Sequence, residues 1–496
     1  MASIPLSTPL PNLNPKISES SIRRTILIVL LYLILPIQAL SPVKDLDIWW
    51  HLRTGEWIVA NLAVPYQDYF STYGNGKPWI AYSWLFEVCV YAVHTRFGLT
   101  GLVYFTVVMA ILITFVVHQL VRLARLPLVM EVALSGLALT AMSPLMSPRP
   151  WLFTILFFSI ELILISRARE EGKDQLLRFM PLIFIFWANL HIQFVYGLIV
   201  LGLLLVESAL AAGFGRYKLP SAGKRLSPRL VMSVATASVL ATLVSPYHVF
   251  IFNPIWEYVS QTGAFQNISE LHPMFFRSPG DWIVLSLTLA AVFALGWQRK
   301  WSLFPSLLLI LGVFLGFRAK RDAWFIVLTA IGIIGHHLRL HWPGKPYAFT
   351  TGQISTVAVL VASALLFFSI HRQINERNLQ SIVAKEFPVD AVAYVTRNRL
   401  RGPIFNTLDW GGFLIWGLRE LPVTIDGRTN LHGDQRLQAL FDVWLGRPGW
   451  DSNPEFRSAN IIIADHGRPL TWLLRSDSRY TIAYEDRTAL VFTSAR

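Results

Sequence analysis

Cysteine and charged side chains are scarce in this sequence. Cys89 is the only cysteine, and charged residues make up 15% of the chain. A single cysteine excludes an internal disulfide and a thiolate metal cluster, so we expect Cys89 to pack as a small hydrophobic side chain. The low charge accompanies a hydrophobic content of 54% and a mean hydropathy of +0.48. This composition predicts a polytopic α-helical membrane protein.

The charge that is present is mostly basic, with a formal net charge of +13. In a soluble protein that excess would suggest a nucleic-acid partner. Here the basic residues lie mainly in short loops between apolar runs. We interpret them as topology signals and lipid-headgroup contacts, and we expect no nucleic-acid partner.

Apolar runs long enough to cross a membrane recur from Thr25 to Ile370. From their number we predict about eleven transmembrane helices. The predicted spans lie near residues 25–40, 99–120, 127–146, 151–166, 179–191, 194–213, 230–250, 281–297, 301–317, 322–337 and 353–370.

The loops between these spans predict the orientation of the chain. Residues 1–22 are expected to form a mobile cytoplasmic tail. Two arginines precede the first span and the small residues of a cleavage site are missing after it, so we predict an uncleaved span. Residues 41–98 then form a long first outer loop of a membrane domain at 23–370. An odd number of spans places residues 371–496 on the same outer side.

Asp45, Asp47 and His51 directly follow the first span. Ionisable groups at a membrane boundary tend to persist where they bind a cation, another charge or a reacting substrate. Residues two apart in an extended segment point the same way, so Asp45 and Asp47 could share one Mg²⁺ or Mn²⁺ ion or one substrate hydroxyl. We take these three residues as catalytic candidates and the two aspartates as candidate metal ligands. The alternative is that Asp47 only caps the helix beginning near Ile48.

Two helices are expected in the first outer loop. Residues 48–61 form an amphipathic pattern whose tryptophans predict contact with the membrane interface. Residues 79–94 predict a second helix lying along the membrane or dipping into it. Glu87 on this helix is a candidate substrate contact. The alternative is that its carboxylate faces water or pairs with Arg96.

Four cations assigned to the outer side break the positive-inside pattern. They are Arg149, Arg318, Lys320 and Arg321. Arginine can bind phosphate oxygens through two parallel hydrogen bonds, so we predict that these residues bind a lipid-linked phosphate or pyrophosphate. The alternative is contact with ordinary lipid headgroups, or a span count that is wrong by one.

Two further outer segments are polar where the ends of spans usually are not. Asn189 and His191 lie between two predicted spans, and Glu270 and His272 lie in the loop at 245–280. All four are candidate substrate-binding residues, and the last two could complete a metal or acid–base set with the aspartates. For His191, a structural hydrogen-bonding role is the alternative.

Apolar runs shrink to strand length from residue 371 onward. Short strands are predicted at 402–406, 423–426, 460–465, 480–484 and 490–493 with helices between them, which is typical of a small α/β domain. Its sharpest motifs are Asp409-Trp-Gly-Gly412 and Ile425-Asp-Gly-Arg428, whose glycines predict turns with backbone close to another part of the protein. We expect Asp426 and Arg428 to pair structurally with each other; the alternative is that they contact the substrate.

This order of features resembles the GT-C superfamily of membrane glycosyltransferases, which use polyprenyl-phosphate or polyprenyl-pyrophosphate sugars. The resemblance covers nearly the whole chain: a first span followed by carboxylates in a long outer loop, then many spans and an outer α/β domain. The stretches Asp47–Ile58, Trp187–His191, Asn406–Gly412 and Ile425–Arg428 are also similar to poorly characterised bacterial membrane proteins near that superfamily.

The resemblance implies glycosyl transfer at the outer face of a bacterial inner (plasma) membrane. Asp45 or Asp47 would be the general base or a metal ligand, and the four outer cations would hold the departing lipid phosphate. The partners would be a polyprenyl-linked sugar donor, membrane lipid, and a glycan, lipid or protein acceptor. Single displacement would invert the anomeric centre. The Trp-Trp-Asp motif of oligosaccharyltransferases is missing from the C-terminal domain, so we do not expect protein N-glycosylation.

Three other functions stay open at this point. A polysaccharide polymerase or ligase would share the donor and differ in the acceptor. A transporter of lipid-linked glycans would place polar groups near the bilayer midplane, often with internal repeats, whereas here the polar clusters lie at one face. A structural subunit of a membrane complex is the third. Convergence of the outer polar residues on one groove open to lipid would favour the enzyme.

Overall fold

The structure is a computed structural model that describes residues 19–213, 224–261, 263–297, 302–344 and 347–494. Most of the predicted N-terminal tail therefore lies outside the described residues. The helices of the membrane part are α1 (Glu19–Ala39), α2 (Ile48–Asn61), α3 (Trp84–Arg122), α4 (Leu128–Met142), α5 (Trp151–Glu170), α6 (Met180–Leu190), α7 (Phe194–Gly213), α8 (Pro228–Thr242), α9 (Asn253–Ser260), α10 (Gly263–Asn267), α11 (Pro279–Trp297), α12 (Leu303–Arg318), α13 (Ala323–His341) and α14 (Thr351–His371).

The C-terminal part combines short helices with a small sheet. Its helices are α15 (Glu376–Glu386), α16 (Val389–Arg397), α17 (Leu408–Gly417), α18 (Thr429–His432), α19 (Asp434–Trp444), α20 (Pro454–Ser458) and α21 (Pro469–Ser476). Its strands are β1 (Ile404–Asn406), β2 (Ile461–Asp465), β3 (Tyr480–Glu485) and β4 (Ala489–Ser494). The strand order is β1-β2-β4-β3, with β1 parallel to β2 and the other two pairs antiparallel.

Among the described residues, 8 helices are long and apolar enough to cross a membrane: α1, α3, α4 with the turn after it, α5, α7, α11, α13 with the turn before it, and α14. α8 and α12 are apolar but shorter. α6 has 11 residues, and at ~1.5 Å per residue it spans about half of a ~30 Å hydrocarbon core. The membrane architecture is as predicted, but the count of eleven is not confirmed, because the predicted spans 179–191, 230–250 and 301–317 form shorter helices.

α2 and α3 form the helical hairpin of the first outer loop. α2 has the predicted bounds, but α3 begins at Trp84 rather than Trp79 and continues through Gly98 to Arg122. Gly98 has a φ of 62° at a kink, a backbone conformation that glycine adopts without a steric penalty. The predicted second surface helix and the span after it are therefore two arms of one kinked helix.

The tryptophans at the start of α2 lie inside the protein. Trp49 and Trp50 are 3% and 5% exposed. The Trp49 ring packs edge-on against Phe387 and Phe413, with centroids 5.4 and 5.1 Å away. The predicted contact of these two tryptophans with the membrane interface is wrong, because the C-terminal part covers this face. One continuous hydrophobic core thus joins the membrane helices to the C-terminal part.

Residues 423–426 do not form the predicted strand. Val423 makes a single bridge to Ser71, its N–H donates to Phe70 O (3.1 Å), and its carbonyl accepts from Thr72 N (2.8 Å). The next N–H, of Thr424, donates to the Asn406 side chain (2.9 Å). The backbone of Val423 thus attaches the C-terminal part to the first outer loop, and that of Thr424 bonds to a side chain of β1, so this segment does not extend the sheet.

Candidate active site

The turn before α2 fixes Asp45 more firmly than Asp47. Oδ1 of Asp45 accepts hydrogen bonds from the backbone N–H groups of Asp47 (2.9 Å) and Ile48 (3.1 Å). Asp47 occupies the N-cap position, but its side chain makes no capping hydrogen bond. The capping alternative for Asp47 is therefore wrong, and Asp45 satisfies the first free N–H groups of the helix.

Arg149 reaches both aspartates from the turn between α4 and α5. Its Nε donates to Asp45 Oδ2 (2.5 Å) and its Nη1 donates to Asp47 Oδ2. The Arg149 side chain is 11% exposed, that of Asp45 6% and that of Asp47 19%. Asp47 is thus the more accessible of the two carboxylates, although it shares the same guanidinium.

Glu270 and Arg321 extend this charged cluster toward the membrane helices. Glu270 lies 3.7 Å from Arg149 Nη2 and 3.6 Å from Arg321 Nη1. The neighbouring Lys320 lies 3.8 Å from Asp281 at the start of α11. Residues far apart in the chain therefore form one cluster in which three carboxylates alternate with two guanidinium groups.

Two buried histidines complete the wall of the site. Nδ1 of His51 lies 3.2 Å from Glu87 Oε1, and the His51 ring packs on Trp50 with a centroid distance of 3.6 Å. Nδ1 of His191 lies 2.8 Å from Thr154 Oγ1. Burial lowers the pKa of His51 well below its usual value, and the Arg149 and His191 charges lower it further. His51 is consequently neutral at physiological pH.

These groups surround a cavity of about 290 Å³ between the membrane part and the C-terminal part. The first outer loop contributes Asp47, Trp50, His51 and Tyr82; the membrane part contributes Arg149, Trp151, His191, Tyr258, Glu270 and Arg321; the C-terminal part contributes Leu408, Asp409, Gly427, Thr429, Phe441 and Arg468. The polar part of the lining includes the Asp47 cluster and an Asp409–Arg468 ion pair of 2.6 Å.

A second cavity of about 250 Å³ lies beside the same cluster and also borders Asp45, Glu270 and Arg321. Its polar wall includes Lys320, and its apolar wall is formed by residues of α4 and α11 such as Ala141 and Val284. The charged cluster therefore borders two cavities, one lined in part by C-terminal residues and one lined by Asp45 and residues of the membrane part.

Four of the predicted site residues line neither of these two cavities. Glu87 is 1% exposed and contacts His51 from behind, so neither the substrate contact nor the water-facing alternative fits its burial. Asn189 accepts from Trp84 Nε1 (2.7 Å) and donates to two backbone carbonyls. His272 Nε2 lies 3.0 Å from Gln266 O, and Arg318 lies over the Phe265 ring. The structure brings together the other eight: Asp45, Asp47, His51, Arg149, His191, Glu270, Lys320 and Arg321.

The sequence did not identify the residues that the C-terminal part adds to the cavity. Gly427 is the clearest case: a Cβ at this position would overlap the Asp47 carboxylate. At Gly412 a Cβ would lie 2.8 Å from Leu46 O. The glycines of the two C-terminal motifs were the available signal, since they predicted close backbone approach. What they approach is the turn that carries the aspartates.

Burial raises the pKa of Asp47 to about 6, although the Arg149 guanidinium lowers it. The carboxylates of Asp45 and Glu270 raise the pKa of Asp47 further. A carboxylate that titrates close to neutral pH is well matched to general-base chemistry. Asp47 thus combines the accessibility and the pKa that proton abstraction requires.

The aspartate pair does not fit a divalent cation as it is arranged here. Both oxygens of Asp45 are engaged, one by two N–H groups and one by Arg149. Arg149 also binds Asp47, so a dication bridging the pair would face a guanidinium in the same place. In the described part of the chain, no group of three or more His, Cys, Asp or Glu side chains could hold a metal ion.

No protein-family model matches the chain. No curated protein matches it by sequence either. Solved structures do match its fold. The apo oligosaccharyltransferase of Archaeoglobus fulgidus aligns with 91% of this chain and 70% of its own length, with 10% identity and a TM-score of 0.53.

The oligosaccharyltransferase AglB from the same organism, in complex with an inhibitory peptide and a dolichol-phosphate, aligns with 90% of this chain and 69% of its own length at 10% identity and a TM-score of 0.54. ArnT from Cupriavidus metallidurans bound to undecaprenyl phosphate aligns over 96% of this chain and 98% of its own length, with 13% identity and a TM-score of 0.44. The long apolar helices, the small C-terminal sheet and the likeness to AglB together show that this integral membrane protein has the GT-C glycosyltransferase fold.

Proposed function

We propose that this protein transfers a sugar from a polyprenyl-phosphate or polyprenyl-pyrophosphate donor to an acceptor at the extracytoplasmic face of a bacterial plasma membrane. The observation that carries the proposal is the convergence of Asp47, Arg149, Glu270 and Arg321 on one cavity, although they come from four separate parts of the sequence. The shared fold with AglB, an oligosaccharyltransferase whose complex contains a dolichol-phosphate, supports a lipid-linked donor.

Asp47 acts as the general base in this proposal. With a pKa of about 6 it is ionised at neutral pH and still basic enough to accept a proton from an acceptor hydroxyl. General-base catalysis by a positioned carboxylate is typically worth roughly 10²–10⁴-fold. Asp45, with both oxygens engaged, is a positioning residue that holds Arg149 and the start of α2. Direct attack of the hydroxyl on the anomeric carbon then inverts its configuration.

The leaving lipid phosphate is stabilised by Arg321 and Lys320. Both line the second cavity, where a polar wall adjoins apolar residues of α4 and α11. An amphiphile with an anionic head and a polyprenyl chain matches this combination of walls. The donor phosphate thus lies on the membrane side of the charged cluster, and the acceptor occupies the larger cavity beneath the C-terminal part.

The proposed topology has a cytoplasmic N-terminus and an extracytoplasmic domain at 371–496 above a membrane domain at 23–370. Val423 is attached to the first outer loop, and Gly427 contacts Asp47. Both contacts support a placement of the loop and the C-terminal part on the same side of the membrane. This domain covers the acceptor cavity and contributes Asp409 and Arg468 to its wall. A polysaccharide polymerase or ligase would use the same donor site with a different acceptor.

The test is the release of polyprenyl phosphate or pyrophosphate from a panel of lipid-linked sugars by the purified protein. We expect release by the wild type and a loss of roughly 10²–10⁴-fold in Asp47→Asn, because the base is removed. The matched control is Asp442→Asn, which removes a carboxylate paired with Arg447 on the surface of α19. Equal release by wild type and Asp47→Asn across the panel would exclude this function for the cluster and favour transport or a structural role.

A further inference from the structure

The Arg149 side chain has all three of its guanidinium nitrogens directed at carboxylates. Nε contacts Asp45 at 2.5 Å, Nη1 contacts Asp47, and Nη2 lies 3.7 Å from Glu270. One face of the guanidinium lies over the Trp151 ring, 5.0 Å from its centroid. A planar cation with five N–H donors is therefore enclosed by three anions and an indole.

Three carboxylates around one point are the ligands that hard divalent cations prefer. In this site the guanidinium takes that point, and it neutralises the carboxylates without the ordered octahedral shell that Mg²⁺ demands. Arg321 contacts only Glu270 of the three, from the far side, so it does not share this position. Among the described cations near these carboxylates, only Arg149 lies between all three.

We propose that Arg149 is a built-in cation that takes the place of a divalent metal, so that the site works without Mg²⁺ or Mn²⁺. The inference concerns the site to which the proposed function is assigned, but its test is a binding measurement that needs no turnover. It also assigns a latent property to the chain: Asp45, Asp47 and Glu270, which are no metal site in their present arrangement around Arg149, would close on a divalent cation once the guanidinium is removed.

The experiment measures Mn²⁺ binding to the purified full-length protein by electron paramagnetic resonance, in which bound Mn²⁺ loses the sharp signal of the free ion. We expect no stoichiometric binding by the wild type at neutral pH. Arg149→Met keeps a long side chain and removes the charge, so it should bind one equivalent of Mn²⁺ at least tenfold more tightly than the wild type. Adding Glu270→Gln to that variant should abolish the gain.

The matched control is Arg321→Met, which removes a guanidinium from the same cavity wall and should create no site. Arg149→Gln is the second variant if Arg149→Met does not fold, with the same expected gain. Stoichiometric Mn²⁺ binding by the wild type that is lost in Asp47→Asn would overturn the proposal. A folded Arg149 variant without added Mn²⁺ binding would overturn it as well. If neither variant folds, the wild-type titration alone decides.

A second readout separates this inference from the proposed function. If the donor-release assay detects turnover, a chelator should leave the wild-type rate unchanged. Loss of wild-type turnover on chelation, restored by Mg²⁺ or Mn²⁺, would overturn the built-in cation while leaving the glycosyltransferase intact. Absence of turnover for every donor would instead count against the proposed function and leave the Mn²⁺ result standing.

Discussion

Two arginines of this protein are enclosed by carboxylates, and they differ in what surrounds them. Arg149 faces three carboxylates at the wall of a cavity, and its side chain is 11% exposed. Arg428 binds Asp426 through Nε (2.7 Å) and Nη2 (2.8 Å) and Asp68 through Nη1 (2.5 Å), and its side chain is 1% exposed. Arginine and aspartate thus form a cluster beside a cavity in one case and in a closed core in the other.

The Arg428 cluster is saturated with partners. Asp68 also accepts from the backbone N–H groups of Phe70 and Ser71. The Arg428 guanidinium lies over the Trp79 ring, 4.6 Å from its centroid. Burial raises the pKa of Asp426, but the charges and hydrogen bonds of Arg428 and His432 together bring this pKa well below its usual value. The predicted pairing of Asp426 with Arg428 agrees with this geometry, which includes an aspartate of the first outer loop as well.

The Asp47 cluster lacks this saturation. Three carboxylates share the guanidinium of Arg149 with only partial help from Arg321, and the pKa of Asp47 rises to about 6 instead of falling. An arginine–aspartate pair therefore does not by itself indicate whether its carboxylate is available for chemistry or holds the structure together. The direction of the pKa shift and the presence of a cavity distinguish a group available for proton transfer from one that holds two segments together.

The largest expected effect is on folding, from Arg428→Met. Removing the guanidinium leaves the Asp68 and Asp426 carboxylates buried without their cation, which typically costs about 3–5 kcal/mol. We expect this loss in the free energy of unfolding, followed by thermal melting in detergent. The control is Arg401→Met, at an exposed position of the same C-terminal part. An unchanged melting temperature for Arg428→Met would remove the distinction between the two clusters.

The next largest effect is expected from Gly427→Ala. Gly427 belongs to the C-terminal part and contacts Asp47 of the first outer loop. A methyl group here overlaps the Asp47 carboxylate, so we expect it to displace Asp47 from its position in the wall of the larger cavity. A displacement of about 1 Å typically lowers turnover by roughly 10²-fold. The control is Gly202→Ala, because a Cβ there meets no atom within 4 Å. Full donor release by a folded Gly427→Ala variant would show that the position of Asp47 does not matter for the reaction.

The smallest effect is a pH dependence that separates the clusters in the wild type. Because burial raises the pKa of Asp47 to about 6, its carboxylate becomes protonated below that pH and loses its function as a base. Turnover should therefore fall roughly tenfold per pH unit below this pKa and reach a plateau above it.

The Arg428 cluster should stay ionised over the same pH range. Its stabilisation is present above the unfolded-state pKa of Asp and is lost only as pH falls through the lower folded value of Asp426. Returning the protein to neutral pH should then restore full turnover, with no unfolding in between. A rate that is flat down to pH 4 would contradict the assignment of Asp47 as the base.

The sequence predicted the parts of the site better than their arrangement. Local patterns were sufficient for the bounds of α2 and for naming Asp45, Asp47, Arg149 and Arg321, which the structure brings together. They could not show that Arg149 binds Asp45 and Asp47 across about a hundred residues of chain, because only tertiary packing brings these segments together. Glu87 was predicted as a substrate contact, with a water-facing carboxylate as one alternative, for the same reason: the burial of its helix against α2 is not visible locally.

Tertiary contacts also explain the predictions that were wrong. Residues 423–426 have the composition of a strand, but the backbone of Val423 binds the first outer loop. Trp49 and Trp50 have the composition of an interfacial face, but the C-terminal part covers them. In each case two regions of the chain dock on each other, and neither region alone contains the information that they do.

The most direct test of the central claim compares Asp47→Asn with Asp68→Asn, two variants that each remove one arginine-bound carboxylate. For both, donor release and thermal unfolding are measured on the same purified sample. We predict that Asp47→Asn loses turnover and keeps its melting temperature, since burial already disfavours the Asp47 charge, whereas Asp68→Asn lowers the melting temperature. Retention of wild-type turnover by Asp47→Asn in a preparation that releases polyprenyl phosphate would contradict the account.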